Sequence, residues 1–193
     1  MNTESSNKMT GQEVVGAQGA QKAPSYDLEY NVWGLKRLYT KYSPKQILEE
    51  DFPRHEWPIS GGWGYDKENA VAIELTNNVD GVALEHKFME YRTYEEGIIF
   101  RPHGMTLAGI RLEMLSQTFH QGEDGRKYDC LKMKVSAFSE IDFEFLKRDW
   151  EGHHGYKNSP EGRMKHLKRA ESKLITYEIE GWFEISNFMG RFE

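Results

Sequence analysis

Two runs of alternating apolar and polar residues, joined by a tight turn, constrain the fold of this chain more than any other feature. The first run covers residues 110–114 and the second covers residues 131–135. Apolar residues occupy every second position in both runs, which is the period of a strand with one buried face. Asp124-Gly125 lies between the runs, and this dipeptide favours a hairpin turn. The pattern therefore predicts a β-hairpin.

Four further segments are predicted to be strands. Residues 175–185 alternate most regularly, with Ile, Tyr and Phe on one side and mostly Glu and Thr on the other. Residues 26–32 and 70–75 repeat this pattern over shorter stretches. Residues 82–100 fit a helical stripe only in part, and their Tyr, Phe and Thr content favours a strand.

Serine residues mark the starts of three predicted helices. Ser43 and Ser159 are each followed by proline, which combines an N-cap residue with a favoured first helical residue. Ser139 precedes Asp142 by three positions, as in a capping box with Asp in the acidic position. These helices cover residues 44–50, 139–150 and 159–173.

The two later helices each have apolar residues at helical spacing. This spacing predicts a buried side on the earlier of the two and a narrow apolar stripe on the later one. The residues concerned are Phe143, Leu146 and Trp150 in the former and Met164, Leu167, Ala170 and Leu174 in the latter.

Together these elements predict an α+β fold, in which two or three helices pack on one face of a mainly antiparallel β-sheet. Residues 1–24 contain no aromatic residue and are rich in Gly, Gln, Ser and Ala. Such a segment cannot bury enough apolar surface to offset the entropy of ordering it. We therefore expect a flexible tail over 1–24 and a single domain over 25–193.

The N-terminal residues also bear on the cellular location. They lack the apolar run of roughly 7–15 residues that a secretory signal needs, and no stretch of the chain is apolar enough for a membrane span. The single cysteine does not suit a disulfide-stapled secreted scaffold. A cytoplasmic protein is the expectation.

The charge of the chain is unevenly distributed. The net charge is −6, yet residues 157–173 contain six basic and two acidic residues and carry +4, which leaves −10 for the rest. A basic helix face is usually a solvated surface. A nucleic-acid binder would instead be basic overall, with aromatic residues within the patch. The acidic remainder could also steer the chain onto a basic protein.

The glycine-rich loop 61–66 has no nucleotide-binding motif, because the third glycine of G-x-G-x-x-G is missing and Lys67 is misplaced for a P-loop. Two interpretations remain open. The loop can be a turn that places Trp63 and Tyr65 in the core. Alternatively, Trp57, Trp63 and Tyr65 can form an exposed contact surface for a partner, since Trp and Tyr dominate interface energetics.

No catalytic or metal-binding motif is found. The densest polar cluster is Asp149, Glu151, His153 and His154, but adjacent histidines diverge in extended backbone, which favours a solvated loop over a metal site. Cys130 has Lys132 nearby but no adjacent histidine. We therefore predict neither a metal nor a cofactor.

The leading hypothesis is a small acidic protein-binding module without catalytic activity, in the manner of an inhibitor, antitoxin or immunity protein that binds a basic partner. One alternative is a metal-assisted hydrolase or nuclease that uses scattered His, Asp and Glu residues. Another is a nucleic-acid binder that uses helix 159–173. The oligomeric state is left open. The candidate binding residues are Trp57, Trp63, Tyr65, Lys165, Lys168 and Arg169.

Overall fold

A five-stranded mixed sheet organises the residues that the computed structural model describes, which are 43–74, 80–101 and 104–187. The strand order is β1-β2-β5-β4-β3. β2 and β5 are parallel and the other neighbouring pairs are antiparallel. The strands are β1 (Ile59–Gly61), β2 (Val71–Ile73), β3 (Leu107–Gln121), β4 (Lys127–Ser139) and β5 (Ile175–Glu184).

The hairpin predicted around Asp124-Gly125 is confirmed as β3 and β4. Met114 lies opposite Met133 in its register, and bulges interrupt β3 between Ala108 and Arg111 and between Met114 and Ser116. Gly125 has a φ of +80°, the left-handed backbone that glycine adopts without a steric penalty.

Four helices occur in the described residues, one more than the upper limit predicted, and the α+β class with a mainly antiparallel sheet is confirmed. The Ser43, Ser139 and Ser159 hydroxyl groups each accept a hydrogen bond from a backbone N–H in the first turn, as an N-cap does. The helices are α1 (Pro44–Asp51), α2 (Gly81–Tyr94), α3 (Glu140–Gly152) and α4 (Pro160–Lys173).

The strand predicted over 82–100 is wrong, because this segment forms α2 and the π-helical turn Glu95–Ile99 that continues it. The Asp80 carboxylate caps the start of α2 by accepting hydrogen bonds from the N–H groups of Val82 and Ala83. Charged residues occupy several buried positions of the helix, so the apolar pattern is incomplete. Those buried charged residues are Glu85, Arg92, Glu95 and Glu96.

The main core lies between α2 and one face of the sheet. Phe88 of α2 packs edge-on against Phe183 of β5, with ring centroids 5.7 Å apart. A Cβ atom at Gly181 would collide with the Met89 sulfur, so the glycine lets α2 approach β5 closely. The opposite face of β4 and β5 is polar, as the exposed ion pair between Lys132 and Glu178 illustrates.

Some predictions need smaller corrections or fall outside the described ranges. The strand β1, which pairs with β2, overlaps the predicted glycine-rich loop 61–66 at Gly61. The strand predicted over 70–75 is confirmed as the shorter β2. The tail 1–24 and the strand 26–32 lie outside the described residues. No helix in the described ranges has the length and apolarity that crossing a membrane requires.

Candidate functional site

The aromatic residues of the glycine-rich loop form part of the core. The side chains of Trp57 and Trp63 are 1% and 0% exposed. Tyr65 is partly buried and donates a hydrogen bond from its hydroxyl group to Glu96 Oε1 over 2.7 Å. The hypothesis that these three residues form an exposed contact surface is therefore wrong for both tryptophans. Of the two interpretations of the loop, the core turn is the one observed.

A buried arginine holds this loop in place. The Arg92 guanidinium donates hydrogen bonds to the carbonyl oxygens of Trp63 (3.0 Å) and Glu180 (2.6 Å) and lies 3.2 Å from the Glu96 carboxylate. The same group lies 4.7 Å from the centre of the Tyr65 ring. Arg92 thus joins α2, the loop and β5, which is a structural role.

The single cysteine is poorly suited to nucleophilic catalysis. Cys130 is buried on β4, where it lies opposite Trp182 of β5. Burial raises the pKa of its thiol, and the nearby Glu180 and Asp129 carboxylates raise it further. The reactive thiolate is therefore disfavoured.

Two carboxyl groups, in α2 and in the π-helical turn that continues it, are fully buried, and burial is the main cause of their altered acidity. It raises the pKa of Glu85 to about 8, assisted by the charges of Asp129 and Asp80. It also raises the pKa of Glu95 to about 8, assisted by Asp51. Both groups are therefore largely protonated at neutral pH and carry little of the acidic charge of the chain.

The second candidate region is the antiparallel pair of helices α3 and α4, which we call the helical hairpin. Its centre is polar: Asp149 Oδ2 lies 2.7 Å from His166 Nδ1 and 3.4 Å from the Arg169 guanidinium. The hydrogen bond with His166 is the main cause that lowers the pKa of Asp149. His166 is only 8% exposed and packs against the rings of Trp150 and Tyr156, which also contact each other. This network docks α4 on α3.

The cluster of Asp149, Glu151, His153 and His154 does not converge on one point. His153 Nδ1 lies 2.8 Å from the Asp149 carbonyl oxygen, and its ring stacks on Tyr156 with the centroids 4.6 Å apart. Within the described ranges, no three His, Cys, Asp or Glu residues are arranged to hold a metal ion. These residues instead shape the turn between α3 and α4.

That turn has an unusual backbone. His154, Gly155 and Tyr156 have φ values of +50°, +69° and +56°. Side chains other than glycine rarely adopt this left-handed region, so the turn is strained at two of its three positions. Gly155 also lies against the Trp150 ring, where a side chain would crowd the indole. The strained turn brings Tyr156 beside Trp150.

A groove of about 910 Å³ opens where this turn meets α4. Its lining combines aromatic and aliphatic side chains with two basic residues on the rim, Lys157 and Arg163. Acidic Glu151 and the exposed His154 also line it. The apolar lining residues are Trp150, Tyr156, Pro160, Met164 and Leu167.

The apolar stripe predicted on α4 lies mainly at the surface. Met164 is 55% exposed and Leu167 is 47% exposed, whereas His166 is the buried residue of this helix. The reason is the docking mode: α4 packs on α3 through the Asp149–His166 pair, so its apolar side remains open. We call Pro160, Met164, Leu167 and Leu174 the α4 stripe.

The three basic residues predicted to bind a partner differ in their surroundings. Lys165 pairs with Glu161 over 2.7 Å at the surface. The Arg169 guanidinium forms an ion pair with Asp149 and lies 5.6 Å from the centre of the Phe145 ring. Lys168 is exposed.

Sequence reasoning missed Lys157 and Arg163 on the groove. It missed them because the groove depends on the left-handed turn and on which face of α4 docks. The charge run 157–173 was the one sequence signal that included both residues.

Comparison with protein-family models, with curated proteins and with solved structures finds no match for this chain. The functional assignment therefore rests on the geometry described above. Its chemically distinctive part is an open apolar groove with basic residues on its rim, next to a strained turn.

Proposed function

We propose that this chain is a protein-binding module without catalytic activity and that it binds its partner through the groove and the α4 stripe. The observation that carries the proposal is the exposure of Met164 and Leu167 beside the groove. Contiguous exposed apolar surface with a polar rim is typical of interaction sites.

The composition of the groove supports a protein partner. Trp150 and Tyr156 are half-buried and held by ring contacts, with their centroids 6.1 Å apart. Rigid aromatic side chains in a concave site bind a partner with little loss of side-chain entropy. Met164 is an adaptable side chain that can follow the shape of an inserted group.

The inhibitor-like form of this function, in which the acidic part of the chain meets a basic partner, remains part of the proposal. It is supported by the formal charge of −10 outside residues 157–173, which stays strongly negative with Glu85 and Glu95 largely protonated. Part of that charge is exposed at the end of α1, where Glu49, Glu50 and Asp51 lie at the surface. The apolar surface favours the helical hairpin over α1 as the contact region.

The two alternative functions have less support. A hydrolase or nuclease needs converging polar groups, and the Asp149–His154 region uses its polar groups to fix a turn. A nucleic-acid binder needs free cations, and Lys165 and Arg169 pair with Glu161 and Asp149. A hydrolase screen and a gel-shift assay with Lys165, Lys168 and Arg169 changed to Glu test these alternatives.

The proposal is tested by surface-dependent capture. The purified chain is used as bait at moderate salt, alongside a double variant with Met164→Asp and Leu167→Asp. Val82→Asp is the matched control, because Val82 is 46% exposed on α2 and an acidic residue is tolerated in the first turn of a helix. We expect to capture a partner whose affinity for the double variant is at least about tenfold lower than for the wild-type chain. Its affinity for the Val82→Asp control should be unchanged.

Two results would overturn the proposal. One is equal capture by the wild-type chain, the double variant and the control. The other is the absence of any salt-resistant partner combined with turnover in the hydrolase screen.

A further inference from the structure

We infer that the partner supplies an acidic amphipathic helix, which packs along the α4 stripe with one apolar side chain inserted into the groove. This inference rests on the proposed function, because it specifies the chemistry of the partner at the helical hairpin. A partner that is basic overall would present this acidic helix to the hairpin and its basic surface to the acidic remainder of the chain.

The spacing of the stripe suits a helix. With Glu171 added, the residues of the α4 stripe repeat at intervals of four, three, four and three positions. The resulting set is Pro160, Met164, Leu167, Glu171 and Leu174. These intervals form the apolar seam of packed helix pairs, with Glu171 as the one polar member. The part of the seam within α4, from Pro160 to Glu171, spans about 16 Å at 1.5 Å per residue, which three turns of a partner helix would match.

The residues that flank the seam set the charge of the partner. On a helix that turns about 100° per residue, Arg163 lies on one side of the seam and Lys168 lies on the other. Both side chains are exposed. Glu161 also flanks the seam, but its carboxylate forms an ion pair with the Lys165 ammonium group over 2.7 Å. Flanking charges select the partner helix in such pairs, so acidic residues are expected opposite Arg163 and Lys168.

The groove distinguishes a helix from a flat lipid surface. A basic amphipathic helix can also lie on an anionic membrane, which requires its apolar residues to form the outermost ridge. Here Met164 and Leu167 instead line a shallow, open groove together with Trp150 and Tyr156. A concave apolar site fits an inserted side chain better than a bilayer surface.

A second copy of the chain is a poorer occupant. Pairing two α4 stripes would bring together two segments that each carry +4. Like charges across an interface oppose association, whereas an acidic helix gains from the same field.

The probe for this inference is a synthetic helical peptide of about 21 residues, with Leu at four-three spacing and Glu at the flanking positions. The matched peptide has Lys in place of each Glu. Binding to the full chain is measured by fluorescence anisotropy at physiological salt. We expect the Glu peptide to bind at least about tenfold more tightly than the Lys peptide and to lose affinity as salt is raised.

Charge reversal provides the decisive variant. Arg163→Glu with Lys168→Glu leaves the buried residues of α4 untouched and should transfer the preference from the Glu peptide to the Lys peptide. Arg54→Glu is the control, because Arg54 is an exposed residue that follows α1, remote from the helical hairpin in the fold. Met164→Asp with Leu167→Asp should abolish binding of both peptides.

Several outcomes overturn the inference. The first is that the Lys peptide binds as tightly as the Glu peptide or more tightly. The second is that the chain binds vesicles of phosphatidylserine and phosphatidylcholine but does not bind the Glu peptide. The third is that the chain forms a dimer that Leu167→Asp dissociates. If a captured partner depends on Met164 and Leu167 while the peptides show no charge preference, this inference fails and the proposed function stands. If capture does not depend on those residues, both fail.

Discussion

Two regions of the molecule place the same residue types in opposite ways. One region is the sheet together with α2, and the other is the helical hairpin. Around α2, large apolar side chains such as Phe88 are buried, and so are charged groups such as Arg92 and Glu95. In the helical hairpin, Met164 and Leu167 are exposed, and the buried residue of α4 is a histidine. Apolar residues thus stabilise the fold in the first region, whereas those of α4 lie at the surface, where we propose that they bind a partner.

The sharpest test of this contrast is a large core truncation. Trp63 has no exposed surface and packs near Phe88, with ring centroids 6.2 Å apart. Trp63→Ala should lower the free energy of unfolding by about 3–5 kcal/mol, because it removes a buried aromatic side chain and leaves a cavity. Urea denaturation measures the change. A loss similar to that of an exposed substitution would show that the loop is not part of the core.

The buried carboxyl groups of α2 and its π-helical turn predict a pH dependence of stability. The pKa values of Glu85 and Glu95 are raised from 4.5 to about 8 in the folded chain, so the folded state binds more protons than the unfolded state between these values. Stability should therefore fall by several kcal/mol as the pH rises through this window.

Denaturation at a series of pH values checks this slope. Glu85→Gln with Glu95→Gln should flatten it, because the amide groups do not titrate. Glu178→Gln, on the polar face of the sheet, is the control and should leave the slope in place. A wild-type stability that rises between pH 5 and pH 8 would contradict the assigned burial.

The polar network of the helical hairpin predicts a local effect. Asp149→Asn removes the charge that holds His166 and Arg169, so α4 should separate from α3 more often while the sheet stays folded. Hydrogen exchange should become at least about tenfold faster at the amides of α4 and stay unchanged in β4. Equal acceleration in both elements would show that the two regions unfold as one unit.

The smallest expected effect on stability belongs to the α4 stripe. Met164→Ala and Leu167→Ala remove side chains that are about half exposed, so each should change the unfolding free energy by less than about 0.5 kcal/mol. Thermal denaturation measures this change. A loss of several kcal/mol would mean that the stripe is part of the core and not a binding surface.

The features predicted correctly from the sequence depend on local chemistry. Asp124-Gly125 and the serine caps act within a few residues, so the hairpin and three helices could be recognised without knowledge of the tertiary structure. α2 was missed because Glu85 and Arg92 occupy buried positions, where a pattern of apolar residues gives no signal.

The candidate site was predicted only in part, for a different reason. The basic segment 157–173 was recognised from its charge, but the groove requires left-handed backbone at His154 and Tyr156, which sequence preferences do not favour. The sequence also does not determine that α4 docks through His166 and leaves Met164 open, because this depends on the pairing with Asp149 in α3.

We propose that the exposed apolar face of the helical hairpin binds a protein partner, and Leu167→Asp changes the middle of that face. The measurement is the affinity of the captured partner for this variant and for the wild-type chain, with the melting temperature of each recorded in parallel. We expect the affinity to fall at least about tenfold at an unchanged melting temperature. An unchanged affinity would contradict the proposal.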